Sequence, residues 1–318
     1  MKTIEEIKYY FRTALANDLK SLDRERRKVI HQSVWFGLVL LLAIGIIVFI
    51  LFIYLDMIAA PLVICLALLA YCWALIVERL AKKYHKDYQD NVLKKLVEFV
   101  DKDLSYHPSG GIPEYFFKQS VLFRRIHNRY EGKNLVCGKI DALPITSSHL
   151  RAKRNNVEGW GISIFVGLMF IVEFNKPVAG KTVVIPKMEI QESSFLSFPL
   201  RMMEKWHDCD PIIKTDHCEF EKHYVTHGNS VKSTRSLLRP EVLQAILDFT
   251  IKQQRNLFLS FLDSKMYVAI SDSDPFSTGL FSNPLDFKPI QRYFEYLSFC
   301  IRLNNIVHSD VSSNIQTH

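Results

Sequence analysis

The first quarter of the chain contains two long apolar runs, residues 34–55 and 57–77, with little more than Asp56 between them. Each run is about as long as the roughly 20 helical residues that cross the hydrocarbon core of a bilayer. Segments rich in Lys and Arg precede the first run and follow the second, and such residues remain on the cytoplasmic side of a membrane. The pattern predicts a transmembrane helical hairpin over residues 34–77.

The segments on either side of the hairpin show helical periodicity. Residues 1–33 are predicted to form a cytoplasmic amphipathic helix, and residues 78–112 a juxtamembrane helix followed by a linker. The apolar stripes are Ile4, Ile7, Phe11, Leu15, Leu19 and Leu22 in the first helix, and Leu80, Tyr84, Tyr88, Leu96 and Val100 in the second. The two stripes either pair as an antiparallel stalk or pack separately on the globular domain.

A cluster of turn and helix-breaking residues at 107–113 marks the start of a soluble domain over residues 113–307, before a frayed tail at 308–318. Apolar helical patterns occur at 240–254 and 287–307. Short β-type runs occur at residues 135–140, 144–150, 161–174, 182–185, 224–226, 231–237, 257–262 and 266–271. This order of helices and neighbouring strands predicts an α+β fold with a mainly antiparallel sheet.

Composition and charge favour a folded domain beside a membrane. Hydrophobic residues make up 48% of the chain and charged residues 23%, which is close to globular averages, and the net charge is +7. Nucleic acid is not expected as a partner, because the basic residues are not organised around a recognition helix. Ten positions are candidates for contact with anionic lipid headgroups or a protein partner: Arg26, Arg27, Lys28, Lys82, Lys83, Arg151, Lys153, Arg154, Lys176 and Lys181. A role in membrane topology is favoured for the cations beside the apolar runs. An exposed turn or solvated loop is favoured for the others.

Gly180, Lys181 and Thr182 resemble the end of a phosphate-binding loop. That loop needs a glycine five residues upstream and a helix after it, whereas here the upstream position is Asn175 and the following residues favour a strand. A hairpin turn at residues 177–180 is the better interpretation.

The segment from His207 to His227 is enriched in histidine and cysteine. His207, Cys209, His217 and Cys218 are the candidate metal ligands, because imidazoles and thiolates bind zinc. The spacing contains no Cys-x-x-Cys pair, so a histidine-rich loop is favoured over a metal site. Neither a metal nor a cofactor is assigned.

Hydrolase chemistry lacks a recognisable signature. The His207-Asp208 and Asp216-His217 pairs are adjacent in sequence, and neighbouring side chains on a strand point to opposite faces. No Gly-x-Ser-x-Gly elbow is present. The sequence leaves no catalytic residue to assign.

Four blocks of residues carry a resemblance to a known protein family. They are Phe117-x-x-Ser120-x-x-Phe123 with Val136-x-Gly138-x-Ile140; Phe165-x-Gly167-Leu168-x-Phe170 leading to Phe174-Asn175-Lys176; Phe220-Glu221-x-x-Tyr224-Val225; and Pro284-Leu285-Asp286-Phe287. Together they resemble the bacterial domain-of-unknown-function family 3137, a family of two-transmembrane-helix proteins. The resemblance implies a bacterial inner-membrane protein with two spans, both termini in the cytoplasm, and a cytoplasmic α+β domain. It implies no reaction and no binding residues.

These observations favour a membrane-anchored, non-enzymatic interaction or scaffold protein, whose α+β domain meets a protein partner or an anionic lipid surface. The alternative is a membrane-tethered enzyme or small-ligand sensor with its site in the same domain. Export into a host membrane is a third possibility that the sequence leaves open.

Overall fold

The computed structural model describes residues 2–53, 59–123, 127–155, 161–174, 177–187, 210–277 and 282–308. The chain divides into two compact units. The helical unit comprises Glu5–Leu96 and Phe276–Pro289, and the sheet unit comprises Met1–Ile4, Val97–Pro275 and Ile290–His318. The sheet unit therefore begins upstream of residue 113, where the turn-rich segment places the start of the soluble domain. The segment before the closing helix belongs to the helical unit.

The helical unit is built from long helices. They are α1 Ile4–Thr13, α2 Ala16–Ile53, α3 Ala59–Tyr88, a π-helical turn at Gln89–Leu93, and α4 Lys94–Val100. Among the described residues, the segment Ala16–Ile47 is the one helix that is long and apolar enough to cross a membrane, with a mean hydropathy of 2.1 in its apolar window. The second predicted span is not confirmed.

The helices of this unit lie side by side in opposite directions. The ring of Phe36 in α2 stacks on Trp73 in α3, with 4.3 Å between ring centroids. Lys95 Nζ in α4 pairs with Asp18 Oδ2 near the start of α2, at 2.7 Å. Because higher residue numbers on one side meet lower numbers on the other, α2 runs antiparallel to α3 and α4.

The apolar stripe of the first helices is buried, and a distant segment contributes to its cover. Phe287, in the segment Phe276–Pro289, lies with its ring centroid 5.2 Å from that of Phe11. Arg26 Nη1 donates a hydrogen bond to the backbone oxygen of Ser282 at 2.9 Å. The sequence suggests either an antiparallel stalk or separate packing of the helices on the globular domain. In neither arrangement do residues 276–289 cover the apolar stripe of the first helices.

The juxtamembrane helix ends at Val100, within the segment 78–112 that is predicted to hold a helix followed by a linker. α4 ends at Val100 because Asp101 Oδ1 accepts a hydrogen bond from the backbone of Asp103 at 3.1 Å, which turns the chain. Leu104 then begins an edge strand, so residues predicted as linker belong to the sheet.

Within the described residues the sheet has eight strands, and every pair of neighbours is antiparallel, as predicted. The strands are β1 Leu104–His107, β2 Arg129–Ile140, β3 Leu143–Asn155, β4 Gly161–Glu173, β5 Lys181–Pro186, β6 Tyr224–Gly228, β7 Leu257–Leu262 and β8 Lys265–Ile270. Their order in the sheet is β1-β2-β3-β4-β8-β7-β5-β6. The other helices of the described residues are α5 Glu114–Gln119, α6 Cys218–His223, α7 Val231–Leu237, α8 Pro240–Gln253 and α9 Lys288–His308.

Both faces of the central strands are buried. On one face, Phe117 of α5 packs with Phe123, Phe165 and Phe258 in a cluster of aromatic rings. On the other face, the Tyr293 hydroxyl of α9 shares a hydrogen bond of 2.7 Å with Ser147 Oγ of β3. Burial on both sides explains why several strands read as continuous apolar runs.

Two predictions for the sheet unit are wrong. Residues 231–237 form α7, not a strand, because Ser230 Oγ caps the helix by accepting from Ser233 N at 3.4 Å. Residues 177–180 are not a hairpin turn, because β8 and β7 lie between β4 and β5 in the sheet. The segment instead leads to β5, which confirms that a strand, and not a helix, follows Gly180.

Candidate functional site

A patch of charged side chains, here called the basic face, lies on neighbouring strands of the sheet unit. The register places Lys153 opposite Arg129, and Arg151 opposite Glu131. Lys133 shares this face because alternate residues of a strand point to the same side. The basic face is therefore defined by Arg129, Glu131, Lys133, Arg151 and Lys153.

The basic face lies on the same side of the sheet as α9. Ser147, which precedes Arg151 in β3, has its side chain on this side and contacts Tyr293 of α9. The β4–β8 pairing ends where Leu168 meets Ile270, so the first half of β4 extends beyond β8. The same side of the sheet is apolar beneath α9 and charged beyond it.

Glu131 is the one carboxylate among the described strand residues of this face. Its Oε1 accepts a hydrogen bond from Arg129 Nε at 2.8 Å. That bond, with the positive charges of Arg129, Arg151 and Lys153, lowers the pKa of Glu131 below its ordinary value. Glu131 is therefore ionised at neutral pH, and it is shared among three cations.

Two of the cations, Arg151 and Lys153, lie near Glu131 but form no ion pair with it. Within the described part of the chain, neither Arg151 nor Lys153 has a carboxylate within ion-pair distance. Lys153 also lies directly opposite Arg129, and like charges at directly opposed positions of an antiparallel pair are unfavourable. The positions of Arg151 and Lys153 are therefore not explained by a contribution to the stability of the sheet.

The basic face ends at a buried polar cluster. Lys133 Nζ pairs with Asp274 Oδ2 at 3.0 Å, and Asn134 Nδ2 donates to the same oxygen at 2.8 Å. His149, which lies opposite Lys133 on β3, is 3% exposed. Burial lowers the pKa of His149 below its ordinary value of 6.5; the nearby Lys133 also lowers it, whereas Asp274 and the Asp272 backbone oppose the shift.

Asp272 organises the other half of this cluster. Its carboxylate accepts hydrogen bonds from Arg292 Nη1, at 3.1 and 3.2 Å, and from the Tyr296 hydroxyl at 2.8 Å. Arg255 Nη2 lies 3.3 Å from Oδ1. Burial of the phenol, together with its bond to Asp272, raises the pKa of Tyr296. Because each oxygen has charged or hydroxyl donors, this half of the cluster is satisfied as a structural network.

The geometry supports the binding of anions more directly than catalysis. The described residues contain no group of three or more His, Cys, Asp or Glu side chains placed to hold a metal ion. His149 Nε2 is buried without a hydrogen-bond partner in the described structure. The exposed part of the site consists of long cationic side chains on a strand surface.

The contact residues predicted from the sequence do not share one surface of the sheet unit. Arg151 and Lys153 lie together on the basic face, whereas Arg154 pairs with Ile162 and points to the opposite side. Lys181 lies elsewhere, with its Nζ 2.6 Å from Asp210 Oδ2. Lys176 lies outside the described residues.

The predicted contact residues of the helical unit differ in how much positive charge they expose. Arg26 pairs with Asp23 at 2.7 Å and is largely covered, whereas the Arg27 side chain is 73% exposed. Four of the predicted contact residues on α2 and α3 are exposed: Arg27, Lys28, Lys82 and Lys83.

The candidate metal ligands include two described residues. His217 Nδ1 accepts a hydrogen bond from the backbone of Phe220 at 3.2 Å and caps α6, and Cys218 is an exposed thiol in the same helix. His207 and Cys209 lie outside the described residues. The preference for a histidine-rich loop over a metal site in this stretch stays a prediction.

Arg129 and Lys133 complete the basic face, and neither is among the contact positions predicted from the sequence. A signal for them exists, because Arg129, Glu131 and Lys133 alternate with other residues at the two-residue period of a strand. Their position beside Arg151 and Lys153 depends on strand register. A bulge in β2 between Lys133 and Val136 sets that register, and Asn134 adopts a φ of 58° there.

Comparisons with known proteins add little about activity. No match was found among proteins with curated descriptions. Among solved structures, the chain is similar to the crystal structure of the mycobacterial trehalose monomycolate transport factor A, TtfA, with a TM-score of 0.33 and 10% identity. That alignment covers 64% of this chain and 86% of the other. A similarity this low supports no inference about function.

The family resemblance is confirmed for the second half of the chain. The matched segment, residues 163–308, runs from β4 to the end of α9. The blocks before residue 163, and the predicted membrane hairpin, lie outside it. Residues 163–308 match the family described as Protein of unknown function (DUF3137).

Proposed function

We propose that this protein is a membrane-anchored, non-enzymatic interaction protein. In this proposal the α+β domain meets a protein partner or an anionic lipid surface through the basic face. The observation that carries the proposal is the outward-facing pair Arg151 and Lys153, neither of which forms an ion pair with a carboxylate among the described residues. Cations on an ordinary soluble surface are interspersed with anions, so an unbalanced patch favours a negatively charged partner.

The proposal includes a location in the bacterial inner membrane, with two spans and both termini in the cytoplasm. The apolar segment within α2 and the second apolar run at residues 57–77 support it. So do the exposed Arg27, Lys28, Lys82 and Lys83, because short segments rich in Lys and Arg are retained on the cytoplasmic side. The antiparallel arrangement of α2 and α3 suits a pair of spans.

Affinity capture of the detergent-solubilised full chain from native membranes tests the proposal. The wild type is compared with the double variant Arg151→Glu/Lys153→Glu. A matched control, Lys214→Glu/Lys232→Glu, reverses two exposed lysines outside the basic face. We expect one co-purifying protein or anionic lipid to be retained by the wild type and the control, and reduced at least tenfold with the basic-face variant. Identical recovery with all three chains would contradict the proposed role of the basic face.

A second candidate function is a membrane-tethered enzyme or small-ligand sensor, and His149 is the observation that favours it. A buried imidazole with a lowered pKa and an unpartnered Nε2 is a feature of ligand-binding and catalytic sites. Mass spectrometry of small molecules released from the same preparations distinguishes the two functions. A stoichiometric metabolite that is lost in His149→Gln, without any retained protein or anionic lipid, would establish the second function.

A further inference from the structure

We propose that the basic face docks on the anionic headgroups of a phospholipid bilayer. This inference rests on the proposed function and names one partner for the surface described above. It assigns Arg129, Lys133, Arg151 and Lys153 to contacts with lipid phosphates. Glu131 stays on the face as an internal counterion for Arg129.

The charge of the face favours an extended anionic surface. The four cations are accompanied by Glu131 on the strands and by Asp274 next to Lys133. A net positive charge therefore remains, and it is concentrated at Arg151 and Lys153. A lysine or arginine near an anionic membrane strengthens association by about fivefold, so a few such residues suffice for a tethered domain.

The shape of the face distinguishes a bilayer from a small anion. The side chains project from neighbouring strands, which lie about 4.8 Å apart, and alternate residues along a strand lie about 6.8 Å apart. Cations spread over this distance on a strand surface do not converge on one phosphate. They match separate headgroups in the plane of a leaflet.

Nucleic acid and a folded acidic protein fit the observations less well. The described strand residues on this face (Arg129, Glu131, Lys133, His149, Arg151, Lys153, Ser163 and Val166) include no Phe, Tyr or Trp on which a base would stack. An aromatic anchor is also typical of a protein interface core. Long, flexible cationic side chains without such an anchor are typical of contacts with lipid headgroups.

A tether makes this weak docking effective. The chain contains an apolar helix long enough to cross a bilayer, and covalent attachment gives the sheet unit a high effective concentration near the membrane. Each contact is then intramolecular with respect to the anchored chain. A modest number of cations is enough to shift the domain to the docked state.

The acylation rate of Lys153 provides a direct measurement. The full chain is reconstituted in nanodiscs of phosphatidylcholine alone, or with 30% phosphatidylglycerol in both leaflets. An amine-reactive reagent then modifies lysines, and mass spectrometry gives the rate at each site. We expect Lys153 to react at least threefold more slowly in the anionic discs, and 0.5 M salt should abolish the difference because it screens exposed charges. Lys222, whose side chain is 68% exposed on α6, is the internal control and should react at the same rate in both discs.

Variants separate this inference from the broader proposal. Arg151→Glu should remove the lipid-dependent protection of Lys153, and Arg151→Gln should reduce it, whereas Lys232→Glu should leave it unchanged. Equal rates at Lys153 in both discs would overturn the docking of the basic face on lipid. If Lys153 is protected in native membranes but not in anionic nanodiscs, the partner is a protein, and the broader proposal stands while this inference fails. If Lys153 is protected neither in native membranes nor in anionic nanodiscs, both the lipid inference and the proposed role of the basic face are contradicted.

Discussion

At the scale of single residues, His149 links the charge of the basic face to the interior of the sheet unit. The imidazole is buried between Lys133, at the end of the basic face, and the Asp272 backbone. Burial lowers its pKa, so the folded state holds the neutral ring while the unfolded chain titrates near the ordinary value of 6.5. The folded state therefore binds fewer protons at this position than the unfolded state.

This difference predicts how stability depends on pH. Because the unfolded chain gains the proton first as pH falls below 6.5, the free energy of unfolding should decrease from pH 6.5 down to the lowered folded-state pKa. Brief proteolysis of the full chain in detergent, over a urea series at pH 7.5 and 5.5, measures this change. We expect wild type to unfold at lower urea at pH 5.5, and His149→Gln to show a smaller difference.

His107→Gln is the matched control, since His107 is an exposed histidine on β1. This variant should retain the pH dependence of the wild type. An undiminished pH dependence in His149→Gln would show that another group carries it.

At the scale of secondary-structure elements, the segment Phe276–Pro289 is the main departure from the sequence prediction. It precedes α9 in the chain, yet it packs within the helical unit through Phe287 and Ser282. Its aromatic contact covers part of the stripe on α1. The Pro284-Leu285-Asp286-Phe287 block thus has a structural role in the helical unit.

Truncation of Phe287 tests that role. Phe287 is 6% exposed, and loss of a buried phenylalanine side chain costs about 3–5 kcal/mol, so Phe287→Ala should strongly destabilise the helical unit. Proteolysis of α1 and α2 peptides in a urea series provides the measurement. Leu285→Ala is the control, because Leu285 is 43% exposed and its loss should cost less than about 1 kcal/mol.

A double-mutant cycle with Phe11→Ala isolates the ring contact. If the contact contributes, the two variants should couple by about 0.5–1.5 kcal/mol. Full additivity would mean that Phe287 stabilises the unit through other neighbours.

At the scale of the whole molecule, the proposal requires a chain that is anchored by its N-terminal part and carries its sheet unit on the cytoplasmic side. Among the residues that the structure describes, one apolar helix has sufficient length, whereas the second span rests on hydropathy. The number of spans decides the side on which the basic face lies. Two spans keep both ends of the chain together, and a single span separates them.

Reporter fusions distinguish these topologies. Fusions after Gln32 and after His318 should both report a cytoplasmic location if two spans are present. A periplasmic signal from the fusion after His318 would contradict the hairpin. It would also place the basic face on the opposite side of the membrane from Arg27 and Lys28, which precede the first apolar run.

Local pattern was enough for many elements of this fold. Residues 240–253 and 288–308 are helical close to the predicted limits, and the antiparallel strands at 257–262 and 265–270 follow the predicted runs. These helices and strands can be predicted from the sequence, because hydrophobic periodicity and capping involve residues that are close together in the chain. The run at 231–237 was misassigned because a short apolar stretch fits a strand as well as a helix.

The sequence by itself determined an α+β chain with an apolar helix near its start and basic residues beside it, because length, hydropathy and periodicity act locally. Only the tertiary structure decided which cations share a surface. Arg151 and Lys153 join Arg129 and Lys133, while Arg154 points to the other side of the sheet. Strand register, with its bulges, and the packing of residues 276–289 within the helical unit depend on contacts between distant parts of the chain.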